Sequence, residues 1–178
     1  MATSTPREIK EGEGYDTPKD GSKVTLRVEA AMDGAAAIDG FKASTLEFVA
    51  GDGEVCDALE CAVAEMKRGE RAVLTVSKPE MLSEEKLGLT GVRAETTVLT
   101  VALEEFSKAK DTWSMSEEEK LEWGLARKER GSELLKAGRL AMALQRYRKV
   151  IDTFRYVDSM QEENKSKAKA LKLASELN

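Results

Sequence analysis

The sequence predicts an α+β domain, a curved antiparallel sheet wrapped on one short helix, followed by an all-α helical segment. Three features lead there. Up to about Phe106 the apolar residues come in short alternating runs separated by Gly- and Asp-containing turns. Within that region one stretch carries helical spacing. Beyond Phe106 the residues are mostly strong helix formers, with a capping signal at the start and Gly138 in the middle.

In Lys23-Val-Thr-Leu-Arg-Val-Glu-Ala30, side chains alternate across a strand, so Val24, Leu26 and Val28 share a face. Arg71-Ala-Val-Leu-Thr-Val-Ser77 repeats the pattern, and Glu95-Thr-Thr-Val-Leu-Thr-Val-Ala-Leu103 has the β-branched centre that suits a pleated surface. Between them, Asp57-Ala-Leu-Glu-Cys-Ala-Val-Ala-Glu-Met66 sets Leu59, Ala62, Val63 and Met66 on one side of a short helix, and Gly69 follows. A polar junction, Ser107 to Ser116, leads to Ser116-Glu-Glu-Glu119. There the serine oxygen can accept from the amide three residues on while the glutamate reaches back. Helix is expected from Leu121 to Asp152 with a turn at Gly138, then a polar loop over Asp158–Asn164 and a further helix from about Lys165. The expected division is a domain over 1–107, a junction over 108–118 and a helical segment over 119–178.

Composition removes several functions. Of 178 residues, 41% are hydrophobic and 34% charged, enough for a core and a wet surface. A net charge of −5 gives no general attraction to phosphate backbones and argues against nucleic acid as a partner. The chain has no histidine, which removes the usual general base and the commonest metal ligand. Its two cysteines, Cys56 and Cys61, match neither a disulfide framework nor a zinc spacing, so a reducing compartment is expected and both thiols read as idle. No stretch has the length and apolarity of a signal core or a membrane span, which points to the cytosol or nucleus. Asn164-Lys-Ser matches a glycosylation sequon that is idle in such a compartment.

The opening Arg7-Glu-Ile-Lys-Glu-Gly-Glu-Gly-Tyr15 and its continuation to Leu26 resemble the start of an FKBP-type domain. So do Leu46-Glu-Phe-Val-Ala-Gly-Asp-Gly-Glu-Val55 and Ala62-Val-Ala-Glu-Met-Lys-Arg-Gly-Glu-Arg-Ala-Val-Leu-Thr-Val76. The resemblance covers roughly the first 105 residues and implies a peptidyl-prolyl cis-trans isomerase, in which an aromatic pocket and oriented donors lower a barrier of about 18–20 kcal/mol. It implies no cofactor and no metal.

The pocket positions carried over by the resemblance depart from the family pattern. Leu59 stands where a tryptophan floor is expected, Val28 where a tyrosine is, and Leu46 and Leu99 where phenylalanines are. Met81-Leu82-Ser83 replaces a Tyr-Ala-Tyr, and Ala37-Ile38, or Ile38-Asp39 one residue on, replaces a Phe-Asp pair. Phe48, Val55 and, more loosely, Cys56 keep family-like character. Losing several aromatics removes both platform and phenolic donor, so little or no isomerase activity is expected. Leu46, Leu59 and Leu99 read best as core residues filling the former cavity.

Ala126 to Val150 resembles a tetratricopeptide (TPR) repeat, with small Gly131 and Ala143 at the helix crossing and Leu134, Leu140 and Tyr147 in the seam. The resemblance implies an incomplete TPR segment, its first repeat over about 121–157 and a second begun over about 165–178. It also implies a protein partner: in co-chaperones of this kind a TPR groove holds the acidic C-terminal tail of a heat-shock chaperone by a carboxylate clamp. Lys128 matches the clamp lysine, Asn178 the second-repeat asparagine, and Ser132 stands where the first asparagine is expected. Arg127, Arg130, Arg139, Arg146, Arg148 and Lys149 suggest a basic face for calmodulin or an acidic peptide, with plain solvation preferred. The expected function is a co-chaperone or scaffold; the alternatives are a weakly active isomerase and, less favoured, a small-molecule binder.

Overall fold

The computed structural model describes residues 7–155 and 160–177. The chain divides into two compact units, Met1–Ala109 and Lys110–Asn178.

The first unit contains β1 (Arg7–Lys10), β2 (Lys23–Asp33), β3 (Ala36–Ala37), β4 (Ser44–Val49), α1 (Asp57–Val63), β5 (Arg71–Val76) and β6 (Thr97–Phe106). The strands pair antiparallel in the order β1-β5-β6-β2-β3, and β4 also pairs with β2. The long β2 organises the sheet. Its inward residues Val24 and Leu26 stand opposite Phe48 and Leu46 of β4 on one side, and opposite Phe106 and Leu103 of β6 on the other. These cross-strand neighbours share the buried face because the side-chain period is two. A register shift between Val28 and Ala30 marks a bulge, which bends the strand and strengthens its twist.

Helix α1 lays Ala58, Leu59, Ala62 and Val63 on that face, and they join the sheet residues in one contiguous core. Each fully buried leucine in it contributes roughly 1.5–3 kcal/mol of transfer free energy. The helix stops at Val63, not at Met66 as expected. Glu65 and Met66 instead donate their amides to Ala62 and Val63 in a tighter turn, with Met66 still buried. The turn is needed to enter β5, and Gly69, at φ 75°, donates its amide to the Leu103 carbonyl at 2.7 Å. The last strand begins at Thr97 and runs past Leu103 to Phe106. There the Lys23 amide donates to the Ser107 hydroxyl at 2.9 Å and Ser107 donates back to the Lys23 carbonyl.

The second unit contains α2 (Glu117–Lys136), α3 (Leu140–Thr153) and α4 (Glu162–Leu177). At the start of α2 the Glu119 amide donates to Ser116 Oγ at 3.2 Å and the Ser116 amide to Glu119 Oε2 at 2.8 Å, the reciprocal box read from the sequence. Gly138, at φ 78°, makes the turn into α3. The α2–α3 seam holds Leu134, Met142, Ala143 and Tyr147, with Gly131 facing Tyr147 and Arg146. Farther along, Val150 of α3 and Phe154, just past its end, meet Ala168 and Leu171 of α4.

Two expectations are corrected here. Leu140 is 62% exposed and Met142 takes its place in the seam. Leu140 lies seven residues before Tyr147, on the same stripe, but helical side chains lean toward the N-terminus, so at the first position of α3 it leans away from the packed turns. Asn164 lies inside α4, not in a loop; of the expected loop, Asp158 and Ser159 fall outside the described residues. Its side-chain amide donates to Glu117 at 2.8 Å and to Glu118 at 3.2 Å, a tertiary contact that outweighs the weak helix propensity of asparagine.

Candidate functional site

The inner face of the sheet gathers most of the pocket positions. Val28 comes from β2, Leu46 and Phe48 from β4, Val55 and Cys56 from the loop entering α1, Leu59 from α1 and Leu99 from β6, all in the same core. Val28, Leu59 and Leu99 are 0% exposed. A wall of an open slot must show surface to solvent, and these three show none. Ser83 is separate, exposed on the segment after a 3₁₀ turn at Pro79–Leu82. Just after β3, Ile38 packs against the core and donates its amide to the Ala31 carbonyl, while Ala37 at the end of β3 and Asp39 are exposed.

Buried carboxylates knit the rim, and the sequence reading did not find them. Glu60 on α1 accepts from the amides of Gly51 at 2.8 Å and Gly53 at 3.1 Å, tying down the Gly-Asp-Gly loop. Glu84 accepts from the Cys56 amide at 2.9 Å and the Lys86 amide at 3.3 Å. Gly51 and Gly53 are the one available signal, since loop amides outside the sheet ladder and close to a helix start invite a carboxylate; nothing in Ser-Glu-Glu-Lys marks Glu84 over Glu85. Burial pushes the Cys56 thiol up to about 12, helped by the neighbouring Glu84 and Asp57 charges, so it stays protonated at neutral pH and is no nucleophile. A shallow groove of 440 Å³ is lined by Arg27, Val28, Glu29, Ala43, Ser44 and Thr45, so of the pocket positions it takes in Val28 alone. Among the described residues no three His, Cys, Asp or Glu side chains gather to hold a metal ion, and no helix is long and apolar enough to cross a membrane.

On α2, Lys128 is half-buried one turn before Ser132. The Ser132 hydroxyl is engaged within the unit, donating to the Lys128 carbonyl at 3.2 Å and lying 2.9 Å from the Tyr147 hydroxyl. Asn178 lies outside the described residues. Arg146, counted in the expected basic face, is instead buried beside Gly131, because it occupies the inward stripe with Met142, Ala143 and Tyr147.

An antiparallel sheet packed on one short helix, with most of the pocket positions on its inner face, defines an immunophilin-type domain. The family profile described as FKBP-type peptidyl-prolyl cis-trans isomerase matches residues 14–104, and the chain belongs to that family. Peptidyl-prolyl cis-trans isomerase FKBP4 of Bos taurus and that of Homo sapiens are each 36% identical to it over 174 residues, covering 94% of this chain. The chain spans only 36% of the length of these relatives. Among solved structures, a multi-domain immunophilin from Arabidopsis thaliana aligns at a TM-score of 0.50 and 26% identity, over 97% of this chain and 70% of that one. Residues 1–211 of CG17282 align at 0.70 and 16% identity, over 97% and 84%, a likeness of fold alone.

Proposed function

We propose that this chain is part of an immunophilin-type co-chaperone or scaffold: an FKBP domain that has lost prolyl isomerase catalysis, followed by the start of a TPR array that binds a protein partner. The observation that carries the first half is the burial of Val28, Leu59 and Leu99 at positions where the family pattern has pocket aromatics. Catalysis here depends on shape, dryness and oriented donors, and an aliphatic layer packed shut offers none of these to a proline ring. The retained Phe48 and Val55 favour the second reading, a weakly active isomerase, but both are buried in the same core.

A protease-free proline isomerisation assay decides between the readings. The expected result is a rate equal to the uncatalysed one. Turnover that scales with the protein and disappears in Leu59→Met, which nearly keeps the core volume, would overturn the proposal.

The partner proposed for the helical unit is an acidic peptide, such as the C-terminal tail of a heat-shock chaperone, with Lys128 as the charged donor and Asn178 as a second clamp residue by resemblance. Ser132, already bonded to Tyr147, acts by holding the two helices together. Support comes from the resemblance at Lys128 and Asn178 and from the helical hairpin that carries Lys128. In the full-length protein, Lys128→Ala is expected to weaken binding of such a peptide about tenfold, read by calorimetric titration. The expected compartment is the cytosol or nucleus.

A further inference from the structure

The carboxylate of Glu117, the first residue of α2, faces the start of a second helix. It accepts from the Gln161 amide at 3.3 Å through each oxygen, and from the side-chain amide of Asn164 at 2.8 Å. Glu118 Oε1 accepts from the same Asn164 nitrogen at 3.2 Å. Gln161 immediately precedes α4, and Asn164 is its third residue. In a capping box the third residue of a helix returns a carboxylate to the amide just before its start, as Glu119 does for Ser116. At α4 the third residue is an asparagine, and the carboxylate that reaches the Gln161 amide comes from α2. One negative charge thus sits at the N-terminal ends of two helices, where both dipoles favour it. Asn164 is buried, and its partners are two carboxylates, so a donor is required there; an acid in its place would set like charges side by side.

This clasp also fixes the register of α4 along α2. Glu117 and Asn164 lie 47 residues apart, as do Gly124 and Leu171, where a Cβ on the glycine would stand 2.6 Å from Leu171 Cδ2. Equal offsets at two points seven residues apart, about 10.5 Å along each axis, mean that the two helices run parallel. The apolar contact at Gly124 is non-directional and resists sliding weakly, whereas the hydrogen bonds at Asn164 demand one alignment. Carried on, the same offset sets Lys128 level with Ser175, in the last turns of α4. We propose that Glu117 and Asn164 are positioning residues for the acidic peptide, holding the Lys128 donor at a set height against the end of α4. Their role rests on the reading of Lys128 as the charged donor to that peptide.

The test uses the full chain. For distances, spin labels are placed on Glu129→Cys and Glu176→Cys, exposed positions with the same offset, in a Cys61→Ser background where Cys56 is buried in the core. Without peptide, the distance distribution is expected to be narrow in the parent and broad or displaced in Asn164→Asp. It should be narrow again in Glu117→Gln/Asn164→Asp, whose new carboxamide donates to the new acid and still accepts from the Gln161 amide. Calorimetric titration with a peptide of four glutamates ending in a free carboxylate supplies the second readout. Asn164→Asp is expected to bind about fivefold more weakly, to recover in the double variant, and to add nothing in a Lys128→Ala background, as coupled residues do. Asn164→Ala, which removes the donor without adding a charge, serves if the acid variant does not fold. One distance distribution in all three proteins, or losses at Asn164 and Lys128 that simply add, overturns the positioning role. A parent that binds no peptide sinks the reading of Lys128 and the positioning role with it, whereas a parent that binds and an Asn164→Asp that binds equally well sink the positioning role alone.

Discussion

Glu29 stands at the bulge of β2 with two arginines on its one carboxylate. Arg71 Nε lies 2.7 Å from Oε2 and Arg27 Nη2 lies 2.8 Å from Oε1, while Glu29 itself keeps 21% of its side-chain surface. The Arg71 hydrogen bond is the largest influence and, with the Arg71 and Arg27 charges, holds its carboxyl below the ordinary 4.5 against desolvation, the second-largest influence. A carboxyl lowered in the folded state adds stability that is present above its unfolded value and is lost as pH falls through the folded one. Partial exposure keeps the contribution on the order of 1 kcal/mol. Glu29→Gln is therefore expected to cost that much at pH 7 and to lose less stability than the parent between about pH 5 and pH 3, measured by urea titrations across that range. Parallel pH profiles for the two proteins would contradict this account of the bulge.

Among the secondary-structure elements, α2 shows a conflict that magnitudes decide. Gly124 sits in the helix interior, where replacement by alanine normally stabilises by about 1 kcal/mol. Here a Cβ would stand 2.5 Å from Phe154 Cε2 and 2.6 Å from Leu171 Cδ2, both in the cluster that joins α3 to α4. Forcing a methyl into such a site costs about 1–3 kcal/mol, and neither neighbour is the free end of a flexible chain. Gly124→Ala is expected to lower the stability of the helical unit by about 1 kcal/mol net, read from its circular dichroism melt. The same helix shows what a sequence discloses. Its capping box, its turn at Gly138 and the small residue at Gly131 follow from local rules, and each is where those rules put it. Leu140 and Asn164 defeated them, since their fates depend on a helix end and on two carboxylates 46 and 47 residues away. The pocket divides likewise. Apolar identity at Leu46, Leu59 and Leu99 was legible from the pattern, whereas the Glu84–Cys56 hydrogen bond joins residues 28 apart and leaves no local trace.

At the scale of the chain, the two units have unequal means of staying folded. The first draws its core continuously from Val24 to Phe106, with sheet, α1 and residues of the 79–89 segment in a single cluster. The second, Lys110–Asn178, relies on a seam of Leu134, Met142, Ala143 and Tyr147 and on a second group of Val150, Phe154, Ala168 and Leu171. A unit below about 70–80 residues with cores this small rarely exceeds 3–5 kcal/mol, whereas a domain of about 100 residues buries a larger share of its surface. Residues 1–109 alone are expected to melt cooperatively within a few degrees of the sheet transition in the whole chain, and residues 110–178 alone to melt low and broadly, followed by circular dichroism. A partner that binds the folded helices adds RT ln(1 + [L]/Kd), about 2.7 kcal/mol at a hundredfold excess over Kd. An acidic peptide bound through Lys128 should then raise the helical transition while leaving that of residues 1–109 in place, and a shift of the sheet transition instead would put the binding surface on the FKBP domain.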